Sequence, residues 1–277
     1  MAEEFNEEVM EEQSTGPSGD VEMAEGAERE SAAAAEGTGD LPFSEGGEAE
    51  PRTSFINHLT SPVVTIIVGA GEAETILTAH QGLLTQSPFL ADACAAFTND
   101  GSPRQIELAN EETDTVGCFL EFLYTGDYFP RKLPGQRTLE PDPTYPSVDE
   151  TGEQLLKHAR VYTLAEKFGM ERLKSLARSK IHCVNSTAKG EITYARYVYQ
   201  FTSKDDTTVR APVANFWATR SHSLRAEAEE EFRGLCLEYP QFGYDVLTRV
   251  LDEKLKREKN EKMHPGSGRK RARHSNV

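Results

Sequence analysis

Residues 61–97 read SPVVTIIVGAGEAETILTAHQGLLTQSPFLADACAAF. Val63-Val64-Thr65-Ile66-Ile67-Val68 places apolar residues on both alternating faces, which predicts a strand covered on both sides. Gly69-Ala70-Gly71 supplies a turn, and residues 74–79 predict a second strand carrying Ile76 and Leu77. His80, Leu83 and Leu84 follow at once. Ser87-Pro88 pairs an N-cap serine with a proline at the first helical position, a strong helix start. Phe89, Ala93 and Phe97 then recur every fourth residue and predict an apolar helical stripe. The unit is a hairpin, a short helix and a second helix.

The pattern continues on both sides. Phe55, Ile56 and Leu59 read as a helical turn or an edge segment before the first strand. Downstream, residues 99–103 form a loop, and Gln105-Ile106-Glu107-Leu108 a short strand. Residues 115–124 form a helix with Val116, Phe119, Leu120 and Leu123 on one face, and Gly126 admits the left-handed cap. From Tyr128 to Gly152 the periodicity fails. Prolines 130, 134, 141, 143 and 146 remove backbone donors and fix φ. The stretch exceeds the roughly 12–15 residues usual for a structureless loop in a compact domain. This insertion, residues 129–152, reads as a mobile surface loop or as a partner-binding polyproline segment.

Residues 153–168 return to helix, with Leu155, Leu156, Ala159, Tyr162 and Ala165 facing inward, and Gly169 breaks it. Leu173, Leu176, Ala177 and Ile181 carry the next. Residues 192–201 are helical; Asp206 then caps a helix bearing Val209, Val213, Phe216 and Trp217. Residues 227–237 carry Phe232, Leu235 and Cys236. Residues 242–262 carry Val246, Leu247, Val250, Leu251 and Leu255.

Several of these segments fall into one order. Val64-Ile66-Val68-Gly69, Ala79-His80, Leu83-Leu84 and Ser87-Pro88-Phe89-Leu90 come first. Phe119-Leu120-Glu121-Phe122-Leu123-Tyr124-Thr125-Gly126 follows, then Val161-Tyr162-Thr163-Leu164-Ala165-Glu166-Lys167-Phe168-Gly169-Met170. Together they resemble the BTB/POZ domain. The resemblance covers residues 54–182 and implies an α+β fold, a small β-sheet against a helical cluster. Residues 185–262 then form a helical extension, and residues 1–50 and 263–277 are an acidic and a basic disordered tail.

The resemblance implies a protein–protein interaction module that self-associates or scaffolds partners; the alternative is a substrate adaptor of a cullin-RING ubiquitin ligase. In corepressor-binding members an aspartate precedes the first strand and a base follows the Ala-His pair. Here those places hold Pro62 and Gln81, so that charged pocket is absent. In cullin-binding members a hydrophobic-x-Glu triplet follows the second helix. Here Phe97-Thr98-Asn99 stands nearest, with asparagine in place of the acid. Asn99 can accept a hydrogen bond but not make the charge-assisted contact, which is about twice as strong. The expectation is self-association, with cullin binding weak or absent.

Composition bounds the rest. Of 277 residues, 46 are acidic and 30 are Lys or Arg, a formal charge of −16. Sixteen of the acids lie in residues 1–50, against the single base Arg29, so the remainder is nearly neutral. So acidic and aromatic-poor a segment is expected to stay disordered. No apolar run approaches the ~18 residues of a membrane span, and no basic-then-apolar leader opens the chain. The expected location is intracellular, nuclear and/or cytoplasmic.

Cys94, Cys118, Cys183 and Cys236 lack metal-ligand spacing and read as buried free thiols in apolar helical patterns. Gly69-Ala70-Gly71-Glu72-Ala73-Glu74 fails as a dinucleotide fingerprint. Glu74 replaces the third glycine, its carboxylate would repel pyrophosphate, and a strand follows where a helix N-terminus is needed. No phosphate-loop lysine, Gly-x-Ser-x-Gly elbow or His-Glu-x-x-His occurs. His80 is expected to be a neutral imidazole satisfied by a backbone group. A non-enzymatic protein without cofactor or metal is therefore expected. Lys256 and Arg257, followed after an eleven-residue spacer by Arg269, Lys270, Arg271 and Arg273, resemble a bipartite nuclear-import signal read as an extended segment by its carrier. The first cluster also suits a helix C-terminus. No aromatic or base-reading element interleaves with these charges, which argues against direct nucleic-acid binding.

Overall fold

A computed structural model of the protein describes residues 54–263. The acidic segment 1–50 and the bases Arg269, Lys270, Arg271 and Arg273 lie outside the described residues. The first half contains α1 (Phe55–Leu59), β1 (Val63–Val68), β2 (Thr75–His80), α2 (Gln81–Leu84), α3 (Pro88–Ala95), β3 (Gln105–Leu108) and α4 (Thr113–Thr125). After the insertion come α5 (Glu153–Lys167), α6 (Glu171–Ile181), α7 (Ala188–Phe201), α8 (Thr207–Glu227), α9 (Glu229–Glu238) and α10 (Pro240–Met263). The class is α+β, a small sheet with many helices.

The sheet order is β2-β1-β3. Val63 stands opposite His80 in the antiparallel pair, and Ile66 opposite Ile106 in the parallel one. Val64, Ile66, Val68, Ala79, Ile106 and Leu108 therefore share one face, and all six are buried in the common core. The other face departs from expectation. Val63 is 55% and Ile76 64% exposed, while Thr65 and Ile67 are half-buried. The described helices cover one side only, as a small antiparallel-edged sheet permits.

In α3 the serine cap forms as expected. Ser87 Oγ accepts from the Leu90 N–H (3.3 Å) and donates to the Phe168 carbonyl (2.7 Å). The buried stripe differs from the expected one: Leu90 and Cys94 enter the core, while Phe89 is 40% exposed. Phe89 stacks on Phe168, with ring centroids 5.1 Å apart. That outer position satisfies its ring without full burial. Gly126 ends α4 at φ 80°, as its sequence position predicts.

The insertion is neither a free loop nor a polyproline rod, because both its ends are stapled by buried polar groups. At its start, Lys180 of α6 is fully buried. Its Nζ lies 2.6 Å from the Asp127 carboxylate, donates to the carbonyls of Tyr128 and Pro130 (the latter at 3.0 Å), and sits 3.7 Å from the Tyr128 ring centroid. At its end, buried Asp149 accepts from the N–H groups of Gly152 (2.7 Å) and Leu155 (3.0 Å), satisfying free donors at the start of α5. The Asp149 N–H donates to the Asn185 carbonyl (2.8 Å). Between the staples a single bridge joins Lys132 and Leu139.

The inward face of α5 is as predicted: Leu155, Leu156, Ala159, Tyr162 and Ala165 are all buried. One core cluster then runs on without a break into Trp217, Leu235, Phe242 and Val246. Asp206 caps α8 by accepting from the Thr208 N–H (3.0 Å), and it accepts from the Tyr162 hydroxyl (2.7 Å), tying α8 to α5. Trp217, Phe232 and Phe242 form an aromatic triangle with centroids 5.2–6.1 Å apart. α10 departs from expectation. Val246 is buried, but Leu247, Val250, Leu251 and Leu255 are exposed; Leu247 and Val250 border an open groove against α8 and α9, and Leu251 and Leu255 lie outside it. Among the cysteines, Cys94 and Cys118 are buried, while Cys183 and Cys236 are only half-buried, and Cys183 lies beyond the end of α6.

Candidate partner-binding surface

Four of the five candidate contact residues gather at one corner. The Pro62 carbonyl, just before β1, accepts from the Gln81 N–H at the start of α2 (2.8 Å). Gln81 Oε1 accepts from Arg104 Nη1 (2.6 Å), and Asn99 Oδ1 accepts from Arg104 Nη2 (3.0 Å). The guanidinium carbon lies 5.9 Å from the centre of the Phe97 ring, within cation–π reach. Phe97 itself is half-buried, just past the end of α3. Thr98 is turned away. Its hydroxyl donates to Asp100 (2.7 Å), which also accepts from the Ser102 N–H (3.0 Å). Hydrogen bonds from Ser102 and Thr98 hold the Asp100 carboxyl well below the usual carboxylate range.

Arg104 is the residue that sequence reasoning missed. It is the only Lys or Arg between Arg52 and Arg131, a stretch holding ten acids. That isolation was the available signal. Two neutral amide oxygens engage it, leaving three of its five N–H donors. The same contacts occupy Asn99, whose carbonyl oxygen now points to Arg104.

Beside this corner, Ser61 Oγ accepts from the Gly82 N–H (2.8 Å) and donates to the His58 carbonyl (2.6 Å), which holds α1 against α2. Phe55, Ile56 and Leu59 of α1 remain exposed. They adjoin the start of β1, where Val63 opens the uncovered sheet face. His80 ends that face, but its partner is not a backbone group. The Tyr124 oxygen accepts from the His80 backbone N–H (3.1 Å) and lies 2.7 Å from Nδ1.

A groove of about 530 Å³ lies between the insertion and α5, with Pro141, Tyr145, Lys157 and His158 among its walls. His158 is buried, and Nδ1 lies 2.9 Å from the Tyr128 hydroxyl. Burial, then the charges of Lys180 and Lys157, push its pKa down to about 3. It is therefore a neutral, packed imidazole. Among the described residues, no group of three His, Cys, Asp or Glu is placed to hold a metal ion, and no helix is long and apolar enough to cross a membrane. Lys256 and Arg257 lie exposed within α10, so this half of the basic pair is helical rather than extended.

No family model matches the chain, and no curated protein matches it.

Proposed function

We propose that this chain is a non-enzymatic protein-interaction module of the BTB/POZ type. It pairs with a second copy of itself through α1 and the uncovered face of the sheet. The observation that carries this reading is the apolar exposure of Phe55, Ile56, Leu59, Val63 and Ile76 on adjoining elements. Fully burying one large aliphatic side chain is worth about 1.5–3 kcal/mol, and exposed apolar side chains gathered on neighbouring elements mark an interaction site, here with the Thr65–Thr78 pair between Val63 and Ile76. The element order, hairpin through α6, also supports the resemblance.

Light scattering on the full chain tests it. The wild type should run above monomer mass, and Val63→Asp with Ile76→Asp should lower that mass by removing the sheet-dependent pairing, with an unchanged circular dichroism spectrum. A wild-type chain that stays monomeric at high micromolar concentration refutes the reading.

The adaptor role is the second reading, favoured by the half-exposed Phe97 ring at the corner of the surface. It is placed second because Asn99 is already engaged by Arg104. Submicromolar capture of a cullin by a monomeric chain, lost on Phe97→Ala, reverses that order. Nuclear import through Lys256, Arg257, Arg269, Lys270, Arg271 and Arg273 is part of the proposal. A reporter fused to residues 252–277 should enter the nucleus and disperse on changing Lys270 and Arg271 to Ala.

A further inference from the structure

The last described helix has two apolar faces, and only one is used. Phe242 and Val246 point into the core. At 100° per residue, Tyr244, Leu247, Leu251 and Leu255 fall within a sector of about 80° on the opposite side, and all four are at least half exposed. From Leu247 to Asn260 no side chain is buried. This is some 20 Å of helix at 1.5 Å per residue, and its apolar stripe is left open: Leu247 and Tyr244 only edge grooves against α8 and α9, and Leu251 and Leu255 lie outside both. A helix stabilised on neither face is marginal in water, so the stripe calls for a partner.

The order of residues along the stripe says which. Counted outward from Leu251, the positions four away are Leu247 and Leu255. Those three away are Thr248 and Lys254, and those seven away are Tyr244 and Glu258. A second copy laid antiparallel about Leu251 therefore sets leucine on leucine at the centre. At the edges it sets a phenol beside a carboxylate and a hydroxyl beside an ammonium. A parallel copy would set Lys254 beside Lys254 and Glu258 beside Glu258, both like-charge contacts. The stripe is complementary to its own reverse.

We propose that α10 is a second self-association surface, pairing antiparallel with α10 of another copy across a two-fold axis at Leu251. A two-fold interface places the axial residue against itself. The contact uses a different face from α1 and the sheet and does not depend on them. Two such surfaces on one chain link copies into assemblies larger than a dimer.

Disulfide capture in the full-length protein tests this. Leu251→Cys is a substitution at an exposed position and leaves the core untouched. On mild oxidation it should give a covalent dimer whose cross-link maps to residue 251 in both copies, in several-fold higher yield than Asp252→Cys, which lies off the stripe. Mixed Leu247→Cys and Leu255→Cys chains should cross-link to each other in preference to themselves. The 251–251 link should persist in the Val63→Asp, Ile76→Asp chain, so loss of sheet pairing and loss of this contact are read separately. Yields at Leu251→Cys equal to Asp252→Cys overturn the proposal, and so does a preference for 247–247 and 255–255 links, which marks a parallel pair.

Discussion

Replacing Lys180 by methionine keeps the volume of the side chain and removes its ammonium from a fully buried site. Three groups lose the ammonium at once: the carbonyls of Tyr128 and Pro130 and the Asp127 carboxylate, which keeps only the Tyr128 N–H (2.7 Å). Each buried carbonyl left without a donor costs about 1–3 kcal/mol. Asp127 is a third exposed, so water takes over part of its solvation and softens the loss. Breaking one side of a buried ion pair costs about 3–5 kcal/mol, and we expect a loss of that size. The insertion should also detach at its start, so that amide hydrogen exchange quickens at residues 131–148 before the helices open. Urea unfolding of the full chain, followed by Trp217 fluorescence, gives the first number, and exchange mass spectrometry the second. Lys256→Met is the control: its pair with Glu253 is solvent-exposed (3.2 Å), a class worth about 0–1 kcal/mol. A Lys180→Met chain within 1 kcal/mol of wild type, with unchanged exchange in the insertion, would refute the staple.

Other outcomes follow from single positions. An unfolded imidazole titrates near 6.5, while His158 in the fold titrates at about 3. Between those values the unfolded chain binds the extra proton. Stability is thus full above pH 6.5 and falls by up to a few kcal/mol towards pH 3. His158→Asn should flatten that part of the urea midpoint profile between pH 7 and 4, and an unchanged profile would show that other groups carry it. Gly152 has φ 91°, and a Cβ there would lie 2.8 Å from the Gly190 carbonyl oxygen and from Thr193 Cβ. Alanine at Gly152 should therefore cost about 2–4 kcal/mol. At Gly126, with φ 80° and open space around it, alanine should cost only the backbone term of about 1–2 kcal/mol; equal costs would remove the steric argument. His80→Ala should lose about 1–3 kcal/mol through burial and the Tyr124 contact. Wild-type stability in denaturant combined with loss of partner binding would instead place His80 in the function.

Local features were legible in the sequence. The Ser87-Pro88 start, the Gly126 stop, the Asp206 cap and the inward face of α5 each depend on residues within a turn or two of one another. Such signals survive without any knowledge of the rest of the chain. The apolar alternation of β1 marked a strand in the same way. It also marked both faces as apolar, and here sequence reasoning overreached. Periodicity says that a face needs cover, but not whether this chain supplies it. The outer sheet face and the α10 stripe are apolar surfaces that the described fold leaves open. The cluster around Arg104 joins residues from four separate segments, and Lys180 reaches carbonyls fifty residues away. Contacts of that kind depend on how elements dock. Docking is decided by summed packing and by the need to satisfy buried polar groups, neither of which leaves a pattern along a single stretch of chain.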